Sequence, residues 1–191
     1  MANDTKTALL NAAEHVVRRK GYDGFSYADL AASVGIRNAS IHYHFPTKAD
    51  LSLALMQRYL AGFETLCAAI EADHQTAARR LGALIDHYRD STQDGRCLCL
   101  CLSLSGTRDA LSEDVCRVTT AFRDIVADWI TGAFVLALED RTIAAPVDPA
   151  REAAATLAVL EGAQLAARAE QDPAAYDRAV DLLRARLRDA A

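Results

Sequence analysis

Between Ser26 and Pro46 the chain has room for two short helices joined by a tight turn, and for little else. Ser26-Tyr-Ala-Asp29 is a capping box, in which a hydroxyl and a carboxylate three residues apart satisfy each other's backbone N–H groups and start a helix. Gly35 stops that helix after about two turns, because glycine enters the left-handed conformation without a Cβ penalty. A second helix fits from about Asn38 to His44, and Pro46 ends it by pushing the preceding residue out of the helical region. Thr47-Lys-Ala-Asp50 is a second capping box, opening a long helix to about Asp73. Two short helices can cross steeply only where the residues at the crossing are small. Ala31 and Gly35 meet that need, with Leu30, Val34, Ile36 and Ile41 as the buried side. The opposite face of the second helix, carrying Arg37, Asn38, Ser40, His42 and Tyr43, is then free to enter a DNA major groove. An ordinary helical hairpin shares this punctuation, so the chemistry of the face has to separate the two.

That chemistry suits a nucleic acid. Arg37 and Asn38 have the reach for base edges, and Tyr43 offers a hydroxyl to phosphate. The long helix presents free N–H groups at its start, and Lys48 adds a charge there. Ser26 and Tyr27 play the same part more weakly at the start of the first short helix. The candidate DNA-binding residues are therefore Ser26, Tyr27, Arg37, Asn38, Ser40, His42, Tyr43 and Lys48. Phe45 reads as core and His44 as a packing or capping residue. Histidines two apart on a helix point to opposite sides and make no metal pair.

A net charge of −5 argues against a nucleic-acid binder until its distribution is considered. Residues 1–50 hold six Lys/Arg against five Asp/Glu, and the remaining 141 residues hold 15 against 21. A near-neutral head on an acidic body suits contact with DNA at one end. We therefore expect a helix-turn-helix head over 1–50 (the motif itself over about 26–45) and an effector-binding and dimerisation domain over 51–191.

The body reads as all helix. With 51% hydrophobic residues, 9 glycines and 4 prolines, both a core and helical propensity are available. Before the head, Leu9, Ala12, Ala13, Val16 and Val17 form the core stripe of a helix over about Thr5–Lys20. Later helices are expected over Thr76–Thr92, Leu98–Asp109, Glu113–Glu139, Pro149–Gln171 and Pro173–Asp189. Asp148-Pro149 and Asp172-Pro173 each place an N-cap before a proline at the first helical position. Small and apolar residues recur on the last two helices, and two from each of two chains would make a four-helix bundle. Leu157, Glu161, Leu165, Val180 and Leu183 are the expected dimer interface. No apolar run of about 18 residues is present and the first residues lack signal-peptide character, so no membrane span and a cytoplasmic location are expected.

Five cysteines, three of them as Cys97-Leu-Cys99-Leu-Cys101, admit two readings. Cysteine is a good small core residue. Alternatively a thiol facing a pocket is reactive, with Arg96 favouring its thiolate. A zinc site is not expected, since no second pair at metal spacing and no nearby histidines are present. Phe63, Tyr88, Cys99, Leu102, Phe122 and Trp129 are the expected lining of a small-molecule effector pocket.

The stretch Val34-Gly-Ile-Arg-Asn-Ala-Ser-Ile-His-Tyr-His-Phe-Pro-Thr-Lys-Ala-Asp-Leu51 closely resembles the signature of the TetR family of bacterial regulators. The shared pattern is Gly35-Ile36, then Ala39-Ser40-Ile41, the aromatic run His42-Tyr43-His44-Phe45, and Lys48, with Gly21-Tyr-Asp-Gly-Phe-Ser26 upstream. His42 stands where the family more often has Tyr. The resemblance implies nine helices, a dimer made by the last two, and release of DNA when an effector binds the body. Gly95-Arg-Cys-Leu-Cys99 with Leu111-Ser-Glu-Asp-Val115 resembles the sixth-helix region of family members that respond to electrophiles or oxidants, and by that likeness Cys99 would be the sensor.

The function expected is that of a TetR-type repressor. It would bind a palindromic operator in double-stranded DNA as a homodimer and be released by a small molecule or electrophile, with no cofactor and no metal. No Gly-rich phosphate loop, nucleophile elbow or HExxH occurs, so no catalytic residues are expected. The alternative is a helical interaction module, or a thiol-based redox sensor, that does not act on DNA.

Overall fold

The computed structural model describes residues 2–144 and 146–188. Among them are nine α-helices: α1 (Ala2–Lys20), α2 (Tyr27–Val34), α3 (Asn38–His44), α4 (Lys48–Asp73), α5 (Ala77–Ser91), α6 (Leu100–Ser105), α7 (Glu113–Asp140), α8 (Pro149–Glu170) and α9 (Pro173–Arg184). Single 3-10 turns lie at Tyr22–Gly24 and Arg108–Ala110. None of these helices is long and apolar enough to cross a membrane. The fold class is all-α, as the sequence predicts.

The chain forms two compact units, one through residue 62 together with 100–122, the other 63–99 together with 123–191. The first unit reaches past residue 50 because α1 packs against α6 as well as α2. Of the stripe expected of α1, Leu9, Ala13 and Val17 are buried there and Ala12 and Val16 half-buried, and Leu30, Ile41, Phe45, Leu51, Leu55, Leu100 and Leu104 are buried as well. Arg58 fixes α4 to α1, donating to Asn11 Oδ1 at 2.8 Å and Glu14 Oε2 at 2.7 Å.

In the second unit α8 and α9 pack on each other and both pack on α5. Their starts follow the sequence rule: the Asp148 and Asp172 side chains accept from Arg151 N and Ala174 N, and a proline opens each helix. Tyr176, fully buried, donates from Oη to Ile85 O at 2.9 Å. Gln164 is also fully buried. Its Oε1 accepts from Cys99 N at 2.8 Å, and its Nε2 donates to Tyr88 O at 2.9 Å and Ser91 Oγ at 2.8 Å. One α8 side chain thus fastens the end of α5 and the segment before α6. Gly95 closes the same junction with φ +76°, and a Cβ there would lie 2.5 Å from Ala167 O.

Several expected helices shift at their ends, the first beginning at Ala2 and the sixth ending at Ser105. The sixth helix begins at Leu100, not Leu98, because Cys97-Leu98-Cys99 is non-helical and gives its Cys99 amide to Gln164. The last helix stops at Arg184, where the chain turns back to pair with the α7–α8 connection through Ala144 N→Arg186 O and Arg188 N→Thr142 O, both 2.8 Å. Asp189, the expected end, lies outside the described residues.

Candidate nucleic-acid interface

The head is built from its caps inward. Ser26 N and Oγ donate to Asp29 Oδ2 at 2.8 and 2.7 Å, and Asp29 N donates back to Ser26 Oγ at 3.2 Å. The Ser26 hydroxyl and amide hold the Asp29 carboxyl below its usual range. Thr47 and Asp50 repeat the arrangement at the start of α4, at 2.7–3.1 Å. Gly35 ends α2 in the left-handed region (φ 75°, ψ 32°), and the amides of Gly35 and Ile36 both donate to Ala31 O. Leu30, Ala31 and Ile41 are buried at the α2–α3 crossing, while Val34 and Ile36 are half-buried.

Turned outward on α3 are Arg37, Asn38, His42 and Tyr43, all exposed, with Ser40 half-buried beside them. Tyr43 is 81% exposed, an extreme value for a residue that large and apolar. Arg37, Ser40, Tyr43 and His44 line an open recess of about 470 Å³ with Thr5 of α1. His42 takes a different position from its neighbours. Its Nδ1 lies 3.1 Å from Pro46 O, and its ring stands 4.9 Å from that of Tyr27.

Two of the residues expected to contact phosphate, Tyr27 and Lys48, also make internal contacts. Tyr27 Oη donates towards Phe45 O and Thr47 O, so its proton is already engaged with the α3–α4 turn. Burial, then Asp50 and Tyr22, push that phenol up to about 12, so it stays protonated. Lys48 Nζ donates to Phe25 O at 3.1 Å and sits over the rings of Phe25 and Tyr22, 4.4 and 4.5 Å from their centroids. Its charge locks the 3-10 turn to α4 and reaches solvent only in part. Free N–H groups at the α4 start are also fewer than expected, because the capping box takes those of Thr47 and Asp50. Phe45 is core, 2% exposed. The sequence offers one signal for the Lys48 cage: aromatic residues Tyr22 and Phe25 flanking the first glycine-rich turn.

In the body, the stripe expected to form the dimer interface is split. Leu157 (6% exposed) and Val180 (0%) face inward within one chain, Leu183 is half-buried, and Glu161 is ion-paired with Arg123. Only Leu165, 48% exposed, is presented to solvent. The outward face consists instead of Ala154, Ala158, Gly162 and Leu165 on α8 with Ala179 and Leu182 on α9, Leu182 being 81% exposed.

The expected effector residues fall in both compact units. Leu102 (half-buried) and Phe122 (buried) are in the first, where Phe122 packs against Tyr59 at 5.2 Å. Phe63, Tyr88 and Cys99 (all buried) and half-buried Trp129 are in the second, where Trp129 Nε1 donates to Glu71 at 2.8 Å. The sensor reading of Cys99 meets an obstacle. The residue is 4% exposed, and Arg96 is turned to Gln93 O and Asp94 at 3.1 and 3.2 Å. Cys97 and Cys101 are each 1% exposed, so all three cysteines are core residues in this conformation. Cys67 is buried too, and burial with Glu71 and Glu64 pushes its thiol up to about 12. Cys116 alone among the five is not fully buried.

Residues 9–55 match the family model described as bacterial regulatory proteins, tetR family. The transcriptional regulator CymR of Pseudomonas putida is 30% identical over 139 residues, covering 70% of this chain and 67% of that protein. A crystal structure of a TetR-family transcriptional regulator from Agrobacterium tumefaciens superposes with a TM-score of 0.93 at 29% identity, covering 98% of this chain and all of that one. Escherichia coli NemR in its reduced form shares the fold, with a TM-score of 0.81 at 18% identity over 98% and 99% of the two chains. The match thus spans the head and the whole body, and the chain belongs to the TetR family as a helix-turn-helix transcriptional regulator, not an enzyme.

Proposed function

We propose that the protein is a repressor that binds a palindromic operator as a homodimer through α3, and that an effector taken up by the helical body releases it. The observation carrying this reading is the division of α3. Ile41 is fully buried, while Arg37, Asn38, His42 and Tyr43 stand in solvent on a helix held at both ends by capped neighbours. This reading is supported by Arg37 and Asn38 standing at the start of α3, since recognition helices contact base edges through their N-terminal residues. Tyr43 and the first-turn amides of α4 supply backbone contacts. The α8–α9 face of Ala154, Ala158, Gly162, Leu165 and Leu182 supplies the partner surface, its small residues permitting close helix approach. Release by an effector is what the family resemblance implies, and binding in the body disfavours the head spacing that fits two half-sites.

The test begins with duplexes enriched by the full-length protein from a random pool. Arg37→Ala or Asn38→Ala should relax sequence preference, at about 1–3 kcal/mol per lost base contact. Tyr43→Phe should weaken all duplexes about equally. If the Arg37 and Asn38 variants keep both affinity and preference, α3 is not the reader.

A further inference from the structure

Pro46 contributes a carbonyl to the turn after α3, and a carbonyl oxygen can only accept. The 3.1 Å approach of His42 Nδ1 to Pro46 O therefore requires the ring proton to sit on Nδ1. Neutral His42 then carries a bare lone pair on Nε2, and His42 is exposed on the outward side of α3 next to Tyr43. A lone pair repels a phosphate oxygen and a cationic N–H attracts it, so one proton reverses the sign of this contact.

We propose that His42 is a proton-linked DNA contact, whose imidazolium donates from Nε2 to the phosphate backbone while Nδ1–H stays on Pro46 O in both states. The proposal rests on α3 being the DNA-binding helix. The charged and titratable groups around this ring come from three helices. On α2, Tyr27 packs against the ring, and its phenol does not titrate near neutrality. At the start of α4, the Asp50 carboxylate accepts from Thr47 N and Oγ1, and Lys48 is held by Phe25 O. On α3 itself the other ionisable side chains are Tyr43 and His44, with Arg37 at its N-cap. Binding to a polyanion stabilises the charged ring, so DNA binding takes up a proton at each head. Affinity is highest below the histidine range and is lost as pH rises through it.

The measurement is fluorescence anisotropy at constant ionic strength, using the full-length protein and a duplex of about 30 base pairs enriched from a random pool, long enough for two half-sites. Between about pH 6 and about pH 8, wild-type affinity should fall tenfold or more, since two heads each lose one charged contact. His42→Gln should bind as weakly as wild type at about pH 8 and vary less than about twofold across the range. His42→Tyr, whose hydroxyl keeps its proton throughout, should also be flat with pH. His44→Gln should retain the wild-type slope. A wild type whose affinity does not change with pH, or a His42→Gln protein that keeps the full slope, overturns the proposal and leaves the DNA reading standing. If the wild type enriches no duplex at any pH, both readings fall together.

Discussion

Replacing Gln164 with Leu tests how the body is held together. Leu keeps most of the side-chain volume, so the change removes three hydrogen bonds without opening a large cavity. Tyr88 O keeps a second donor, since Ser91 Oγ donates to it at 2.8 Å. The Cys99 amide would lose its bond to Gln164 and face an apolar side chain in its place. Removing the partner of a buried hydrogen-bonding group costs about 1–3 kcal/mol. For a chain of this size, each kcal/mol shifts the melting temperature by about 2–4 °C. We therefore expect a fall of about 2–12 °C by differential scanning calorimetry. The loss should also be local, because Cys97 and Cys99 belong to the segment that Gln164 ties down. In wild type, N-ethylmaleimide followed by mass spectrometry should label Cys116 first, since the other four thiols are buried. In Gln164→Leu, labelling of Cys97 and Cys99 should accelerate while that of Cys67 does not. A melting temperature within a degree of wild type, or unchanged labelling of Cys97 and Cys99, would refute the assignment of Gln164 as the fastener. Rapid labelling of wild-type Cys99 ahead of Cys116 would restore the sensor reading of that cysteine.

Two further outcomes are expected. Leu165→Glu with Leu182→Glu should give monomers by light scattering and weaken DNA binding, because two linked half-sites raise effective concentration, whereas a variant that stays dimeric would remove the α8–α9 face from the interface. Glu152 is held below the usual carboxylate range by the Arg186 guanidinium at 2.7 and 2.8 Å, so its contribution is fully present above the ordinary Glu range and lost as pH falls below it through the lowered folded-state value. Glu152→Gln should therefore be less stable than wild type near neutrality, and the gap should close in acid. A gap independent of pH would show that the Arg186 pairing contributes no proton-linked stability.

The parts of this protein that the sequence made legible are those decided by contacts within a few residues. Ser26 with Asp29, Thr47 with Asp50, Gly35, and the two Asp-Pro starts each settle a helix end by a local hydrogen bond or a backbone restriction, and each lies where the residues placed it. What could not be read is which of two apolar stripes on a helix faces inward. On α9, Tyr176 and Val180 compete with Ala179 and Leu182 for that role, and the answer depends on Ile85 O being within reach of the Tyr176 hydroxyl. Periodicity reports that a stripe exists, while its partner is chosen by residues about 90 positions away. The same limit explains Tyr27 and Lys48. Their chemistry permits a phosphate contact, and only the return of the chain at Phe45 and Thr47, or the Tyr22–Phe25 turn beside α4, turns them to internal use. His42 shows the converse case. Its local partner at Pro46, four residues on, is the short-range contact that fixes a tautomer, and through it the sequence around the turn determines which ring nitrogen keeps its lone pair.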